Sequence, residues 1–388
     1  MMIKRLRNLL APTIQSLNWV ELDSAVLVNN YRYLQALHPD DILIPVLKSN
    51  AYGHGLSEVC RILKKVKPNL VAVDSYPEYQ IVRDGLSSDI LIIGEMDHSV
   101  YRQLDPKRTV LAVYRVDTLQ HLISLGKSWR VHLFLNTGMN REGIQQDQLD
   151  EFLTLLQWSW VQLEGVMSHL AYGDSDDVSF VNPQVERFKT MYDVVLSYGF
   201  SPMYRHINNS GGLLSCDDDF WTAHRSGLAL YGYKSPGLQP PPLSSGNDES
   251  KVRDGWIELQ PVMSVWSSVV ALQQVAAGAS VGYDGTWTAW DSETIATIPF
   301  GYMEWLWRAV SNQWKIKHAW GYLDCAGRVS MNLSSWVSGD AVHLGDEVCV
   351  ISNQLWDDNS FVRLADQCGT IVYEVLVRID RGMRRKII

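Results

Sequence analysis

Short apolar, β-branched runs recur along the first 232 residues, separated by helix-like stretches. The runs read "LIPVLK", "NLVAVDS", "DILIIG", "TVLAVY", "RVHLFLN", "LEGVMSH", "MYRHINN" and "GLALYG". Amphipathic segments such as "LSEVCRILKKV" and "NPQVERFKTMYDVVLSYG" lie between them. Roughly eight strand–helix units follow, and eight such units close an α/β fold of the (β/α)8 barrel type. An open doubly wound sheet is the alternative, but no GxGxxG follows the first strand.

Near Lys234 the texture changes. "SPGLQPPPLSSGNDESKVRDG" has no helical period and reads as a boundary or a long surface loop. Beyond it "VMSVWSSVVALQQV", "ETIATIPFGY", "GRVSMNLSSW" and "DEVCVIS" alternate like antiparallel strands, and a last helical segment is expected near Ala365. Two domains are therefore expected: an α/β barrel over 1–245 and a mainly-β domain over 246–388. The first ~20 residues are open to association with the second domain.

A net charge of −9 and the lack of a basic stripe exclude nucleic acid as the main partner. No apolar run is long enough to cross a bilayer, so no membrane partner is expected. Five scattered cysteines (Cys60, Cys216, Cys325, Cys349 and Cys368) lack CxxC spacing and suit reduced thiols in a cytoplasm. The opening "MMIKRLRNLLAPTIQSLNW" is broken by Asn8 and Pro12, and reads as a lead-in, not an export signal. His169, His206 and His224 lack HExxH or clustered spacing, and no metal is expected.

In such barrels chemistry gathers at the carboxyl ends of the strands. Lys48 closes the first run, inside "PVLKSNAYGHG", and Tyr52 follows one helical turn later. Arg141 lies past "VHLFLNTGMN", His169 ends "GVMSH", and Asn209 and Ser210 open a helix at "SGGLL". Arg225 and Gly227 lead into "GLALYG". A helix N-terminus at Ser210 and a glycine at 227 offer backbone N–H groups to an anion. Singly, each residue has an ordinary explanation: a solvated lysine, a strand-end histidine, an N-cap serine. Gathered at one end of one barrel, an amine and an anion site suggest a phosphorylated aldehyde cofactor.

"VLKSNAYGHG", "NTGMNREG", "SHLAYGD", "HINNSGG", "HRSGLALYG", "SVGYDGTW", "IPFGY", "GRVSMN" and "GTIVYE" together resemble the alanine racemase family, in order and spacing, from about Trp19 to the C-terminus. The resemblance implies a pyridoxal 5'-phosphate enzyme and a head-to-tail homodimer, each site completed by the partner's β domain. It implies that Lys48 carries the cofactor, Tyr52 helps hold its phosphate, and Ser210, Gly227, Leu228 and Tyr373 bind that phosphate beside Asn209. It implies His169 against the ring, Arg225 facing the pyridine nitrogen, Arg141 on the phenolic oxygen, and Arg141 and Met331 serving the substrate carboxylate. Lys48 and Tyr283, the latter from the other subunit, would be the two bases of L-alanine to D-alanine racemisation. A phenol of pKa about 10 is a poor base at neutrality, and His169 and Arg225 are the candidates for a network that stabilises its phenolate. A guanidinium keeps its proton, so Arg225 cannot protonate the ring, which favours racemisation over decarboxylation.

The chain departs from the family in three places. Phe134 stands where many relatives have a lysine that steadies the arginine equivalent to Arg141, so support must come from elsewhere, a bound anion or Asn136. Asn332 replaces a common aspartate, removing a negative charge near the substrate. "MEWLWR" replaces small residues and glycine, and Trp305 and Trp307 would either reshape the access channel or pack at the dimer contact. Alternatives are a serine or broad-range racemase and, further off, a basic amino-acid decarboxylase. The "EPGR"-type stretch of such a decarboxylase is absent.

Overall fold

The computed structural model describes residues 16–173, 179–215, 218–234 and 259–388. The basic lead-in up to residue 15, Cys216 and the Pro/Gly/Ser-rich stretch lie outside the described residues. The chain divides into two compact units: Asp23–Val262, and the strand Asn18–Leu22 together with Met263–Ile388.

Asn18–Leu22 is β1. The first unit is built on β2 (Ile42–Pro45), β3 (Leu70–Val73), β4 (Asp89–Ile92), β5 (Thr109–Val113), β6 (Arg130–Phe134), β7 (Gln162–Met167), β8 (Tyr204–His206) and β9 (Ala223–Ser226). β3 to β8 form a six-stranded parallel sheet, and β2 pairs in parallel with β9. A parallel bridge from Val46 to Ala72 joins β2 to β3. Thr222 N–H to Arg205 O (3.1 Å) and Arg225 N–H to Asn208 O (3.0 Å) join β8 to β9. The ring of eight parallel strands is thereby closed. Runs such as "LVAV" in β3 and "TVLAV" in β5 are buried along their whole length, because the barrel interior covers one face and helices the other. The helix Leu56–Leu63 buries Leu56, Val59, Cys60, Ile62 and Leu63, its apolar stripe at helical spacing.

The eighth strand is displaced from expectation. It is Ala223–Ser226, while Leu228–Tyr231 of "GLALYG" coils into a 3-10 turn. A polar barrel lining hides the strand from an apolar pattern: His224, Arg225 and Ser226 are all buried.

The second unit is a nine-stranded sheet. Its strands are β10 (Met263–Ser268), β11 (Ala271–Val275), β12 (Glu293–Ile298), β13 (Lys315–His318), β14 (Gly321–Cys325), β15 (Ser334–Ser338), β16 (Glu347–Ile351), β17 (Arg384–Ile387) and β1. They run in the order β11-β12-β15-β14-β13-β16-β10-β1-β17. β1 pairs antiparallel with β10 and parallel with β17. Phe300, Trp314, Trp336 and Phe361 fill the core of this unit. The β13–β14 hairpin adds strands that the sequence reading passed over, although Ile316 and His318 alternate inward as a strand requires. "GRVSMNLSSW" contributes only β15, and the closing helices are Phe361–Gln367 and Val372–Val377.

Candidate active site

Lys48 leaves β2 and enters a turn of the wrong hand. Ser49 (φ 55°, ψ 48°), Asn50 (57°, 45°) and Ala51 (54°, 52°) are left-handed, as is Tyr52 at φ 52°. The sequence placed Tyr52 one helical turn after Lys48, and the structure makes that turn left-handed. Each non-glycine residue in this conformation costs roughly 1–2 kcal/mol, so the turn has to be held. Glu78 Oε1 accepts the Ser49 N–H at 2.7 Å and lies 3.4 Å from the Asn50 N. Asn50 Oδ1 accepts the Leu56 N–H at 2.9 Å. The buried His54 ring places Nδ1 3.0 Å from the carbonyls of both Ala51 and Tyr52 and stacks on Tyr231, centroids 4.2 Å apart. Gly53 and Gly55, at φ 81° and 100°, supply the exits that a side chain would strain. Lysine, tyrosine, two glycines and histidine stand together because they build one strained turn. Lys48 Nζ has no hydrogen bond or ion pair with a described residue.

Arg225 is buried in the barrel mouth. Its Nη1 donates to His206 Nδ1 (2.7 Å) and His206 O (3.1 Å). Nη2 donates to Ser168 O (2.6 Å), His169 Nδ1 (3.1 Å) and Ile207 O (3.3 Å). All of these acceptors are neutral. Burial lowers the guanidinium to about 10, which still leaves it cationic at neutral pH. His169 is pushed down to about 3 by burial and by the positive charges of Arg225, Arg141 and Lys48, so its ring is neutral.

The donor rules orient a chain of imidazoles behind Arg225. A guanidinium only donates, so His206 Nδ1 accepts and His206 Nε2 carries the proton. That proton points at His132 Nδ1, 2.8 Å away. The His132 proton then sits on Nε2, 3.7 Å from Glu164 Oε2. Glu164 Oε1 binds Arg130 Nη2 at 2.6 Å, and Arg130 Nη1 reaches Asp89 at 2.7 Å. Burial raises the Glu164 carboxyl, but His132 and Arg130 outweigh it and hold it below the usual 4.5. A depressed carboxyl stabilises the fold fully above its unfolded value and loses that contribution as pH falls through the folded one. Because Arg130 keeps Asp89 and the pair is partly screened by solvent, Glu164→Gln is expected to cost about 1 kcal/mol at neutral pH. In urea unfolding repeated at falling pH, the gap to the parent protein should narrow below about pH 4.5.

Ser210, Gly227 and Tyr52 converge between β8 and β9. Ser210 Oγ accepts the N–H groups of Gly227 and Ala229, both at 3.1 Å. A Cβ at Gly227 would collide with the Tyr52 hydroxyl and come within 2.7 Å of its Cζ. The glycine is what admits the phenol. Asn209 Oδ1 caps the next helix through Gly212 N–H at 3.0 Å. Leu228 starts the 3-10 turn after Gly227.

Arg141 has a partner the sequence reading missed. Its Nε and Nη2 form a fork on Glu142, each bond 2.6 Å. Asn136 does not support it: its Oδ1 accepts Gly138 and Asn140 N–H, and its Nδ2 donates to Asn140, so it holds the loop. Phe134 is buried, edge-on to Tyr114 at 5.8 Å.

Tyr283, Met331 and Tyr373 belong to the β unit. Tyr283 is 66% exposed and opens a 3-10 turn in which Asp284 (φ 63°) binds Arg328 at 2.8 Å. Met331 is exposed, and Tyr373 lies in the helix Val372–Val377. Asn332 donates to Glu304 at 2.9 Å, so a negative charge stands one hydrogen bond from the position that lost it. Trp305 packs on Phe361 (5.7 Å) inside its own unit at φ 111°, and Arg378 covers Trp307.

Fold and site define an α/β-barrel enzyme with an accessory β unit, whose barrel mouth gathers a lysine, a serine–glycine–tyrosine cluster and a buried guanidinium. Residues 22–235 match the family model "Alanine racemase, N-terminal domain", and 262–387 match "Alanine racemase, C-terminal domain". The alanine racemase of Syntrophobacter fumaroxidans is 33% identical over 382 residues, covering 94% of this chain and 96% of that protein. The solved alanine racemase of Clostridium difficile 630 superposes with TM-score 0.87 at 28% identity, covering 97% of each chain. That of Bacillus anthracis with bound L-Ala-P gives 0.85 at 26%, covering 97% of this chain and 96% of that one. The chain belongs to the alanine racemase family and is an amino-acid racemase.

Proposed function

We propose that the chain interconverts L- and D-alanine with pyridoxal 5'-phosphate, as a cytoplasmic homodimer in which Lys48 faces Tyr283 of the partner subunit. The observation that carries this is Arg225, a buried cation whose bonds all go to neutral acceptors, with Nε unused among the described residues.

The residues fit the cofactor. Lys48 would hold its aldehyde carbon, and Ser210, Gly227, Leu228, Tyr52, Asn209 and Tyr373 its phosphate. The Tyr52 hydroxyl over a side-chain-free Gly227 makes the cradle. His169 would lie against the ring, Arg141 on the phenolic oxygen, and Arg141 with Met331 at the substrate carboxylate. When bound, the cofactor supplies a conjugated ring that draws electrons from the substrate's α-carbon.

Lys48 takes or returns a proton at Nζ on one face of that carbon, and Tyr283 of the partner subunit does so at its phenolic oxygen on the other. Arg225 would give the ring nitrogen a hydrogen bond without giving up its proton, which would leave that nitrogen unprotonated and the electron draw modest. Neutral His169 adds no second cation. A modest draw suits returning the proton over losing a carboxylate.

Two measurements test the reading. In heavy water, alanine should gain deuterium at its α-carbon as it inverts; a panel in which only a larger amino acid does so removes alanine. Gly227→Ala should weaken pyridoxal phosphate binding by at least about tenfold, since Tyr52 must leave its place and a 1.4 kcal/mol loss is already tenfold. Unchanged affinity by equilibrium titration would remove the cradle.

A further inference from the structure

We propose that Glu78 is a positioning residue for Lys48: its carboxylate locks the left-handed turn that presents the amine. This rests on the placement of the cofactor at Lys48 proposed above. Glu78 lies in the first turn of the helix Tyr76–Gly85, which follows β3. Its Oε2 accepts the Asp74 N–H at 3.0 Å, a local bond beside its own helix. Its Oε1 leaves that helix and takes the Ser49 N–H at 2.7 Å, with Asn50 N at 3.4 Å, from the segment that follows β2. One carboxylate therefore ties the carboxyl ends of two neighbouring strands, at the residue after Lys48.

The turn needs such a tie. Ser49, Asn50 and Ala51 carry side chains in a conformation that only glycine adopts freely. In a left-handed start the Ser49 N–H has no carbonyl of its own segment to bond, and the Glu78 oxygen supplies an acceptor. An uncharged amide fills this role poorly. Both of the carboxylate's oxygens accept N–H groups, and glutamine would turn its NH2, a donor, against one of those donors.

The test uses the full chain and two readouts. Hydrogen exchange of the Lys48–Gly55 peptide is followed by mass spectrometry without cofactor. The rate at which added pyridoxal phosphate becomes fixed to Lys48 is followed by borohydride trapping. Glu78→Gln is expected to speed exchange at least tenfold and slow trapping at least tenfold. Ser49→Gly in the same chain should recover trapping to within threefold of the parent, because glycine takes the left-handed conformation without help. A general packing role for Glu78 would not produce that rescue. If Glu78→Gln fails to fold, Glu78→Asp keeps the charge at the helix start but is one methylene short of Ser49, and the same two changes are expected. Parent-like exchange and trapping in a folded Glu78 variant would overturn the proposal, as would a slow variant that Ser49→Gly leaves slow. A parent protein that never labels at Lys48 would instead sink the functional reading, with exchange still deciding the clamp.

Discussion

Lys48→Ala is expected to abolish covalent fixation of pyridoxal phosphate by borohydride and to lower alanine racemisation by about 10⁴-fold or more. The expectation combines two roles in one side chain. Lys48 stands at the carboxyl end of β2, on a turn held by Glu78, Asn50 and His54. No described carboxylate neutralises its amine. Arg225 and Arg141, both cations, stand near His169 together with Lys48. The variant should still bind the cofactor through the cradle at Ser210 and Gly227, only without the covalent link. A Lys48→Ala protein that yields a borohydride-fixed cofactor on another residue would remove Lys48 from the site.

Tyr283→Phe is the second large effect. Alanine racemisation should fall by about 10²–10⁴-fold, the range for losing a positioned acid–base group. The fall must be equal in both directions, because a catalyst cannot move the equilibrium between enantiomers. The informative quantity is exchange of the α-proton with solvent. It should survive from the enantiomer that presents its proton to Lys48 and nearly vanish from the other. Equal, small slowing from both would remove the phenol as a base. Tyr283 is suited to reach outward: it is exposed, and the turn behind it is fixed by Asp284 on Arg328. A heterodimer of Lys48→Ala and Tyr283→Phe subunits should have about half of the parent activity, since a shared-site dimer then holds one intact site of two, and an equal random mixture about a quarter. A verified heterodimer without activity would put the shared arrangement aside.

Much of this architecture was legible in the chain. Eight apolar runs with helical spacing between them imply the barrel, and the motif around Lys48 locates its mouth. The eighth strand was misplaced because "AHRS" turns polar side chains into the barrel lining, against the pattern used to find strands. Glu142 escaped notice because a carboxylate next to an arginine in sequence is common and usually faces solvent. Here it forms a two-bonded fork with Arg141. Glu78 escaped because its partner, Ser49, lies 29 residues away and contributes only a backbone N–H. His132 and Glu164 looked like ordinary strand residues; their sequence carries no sign that they line up behind Arg225.

What the sequence determined by itself is the order of elements, the two-part build and the residue types collected at strand ends. Apolar periodicity and turn chemistry are local, and a linear chain displays them. What only the tertiary structure decided is the hand of the turn after Lys48, the direction of the imidazole chain and the partner of Arg141. The turn and the imidazole chain each depend on a donor meeting an acceptor brought by another segment, and the Arg141 fork depends on how the loop after β6 turns two adjacent side chains together. Closing the barrel sets those distances, because one ring of eight strands leaves each interior side chain a single set of neighbours.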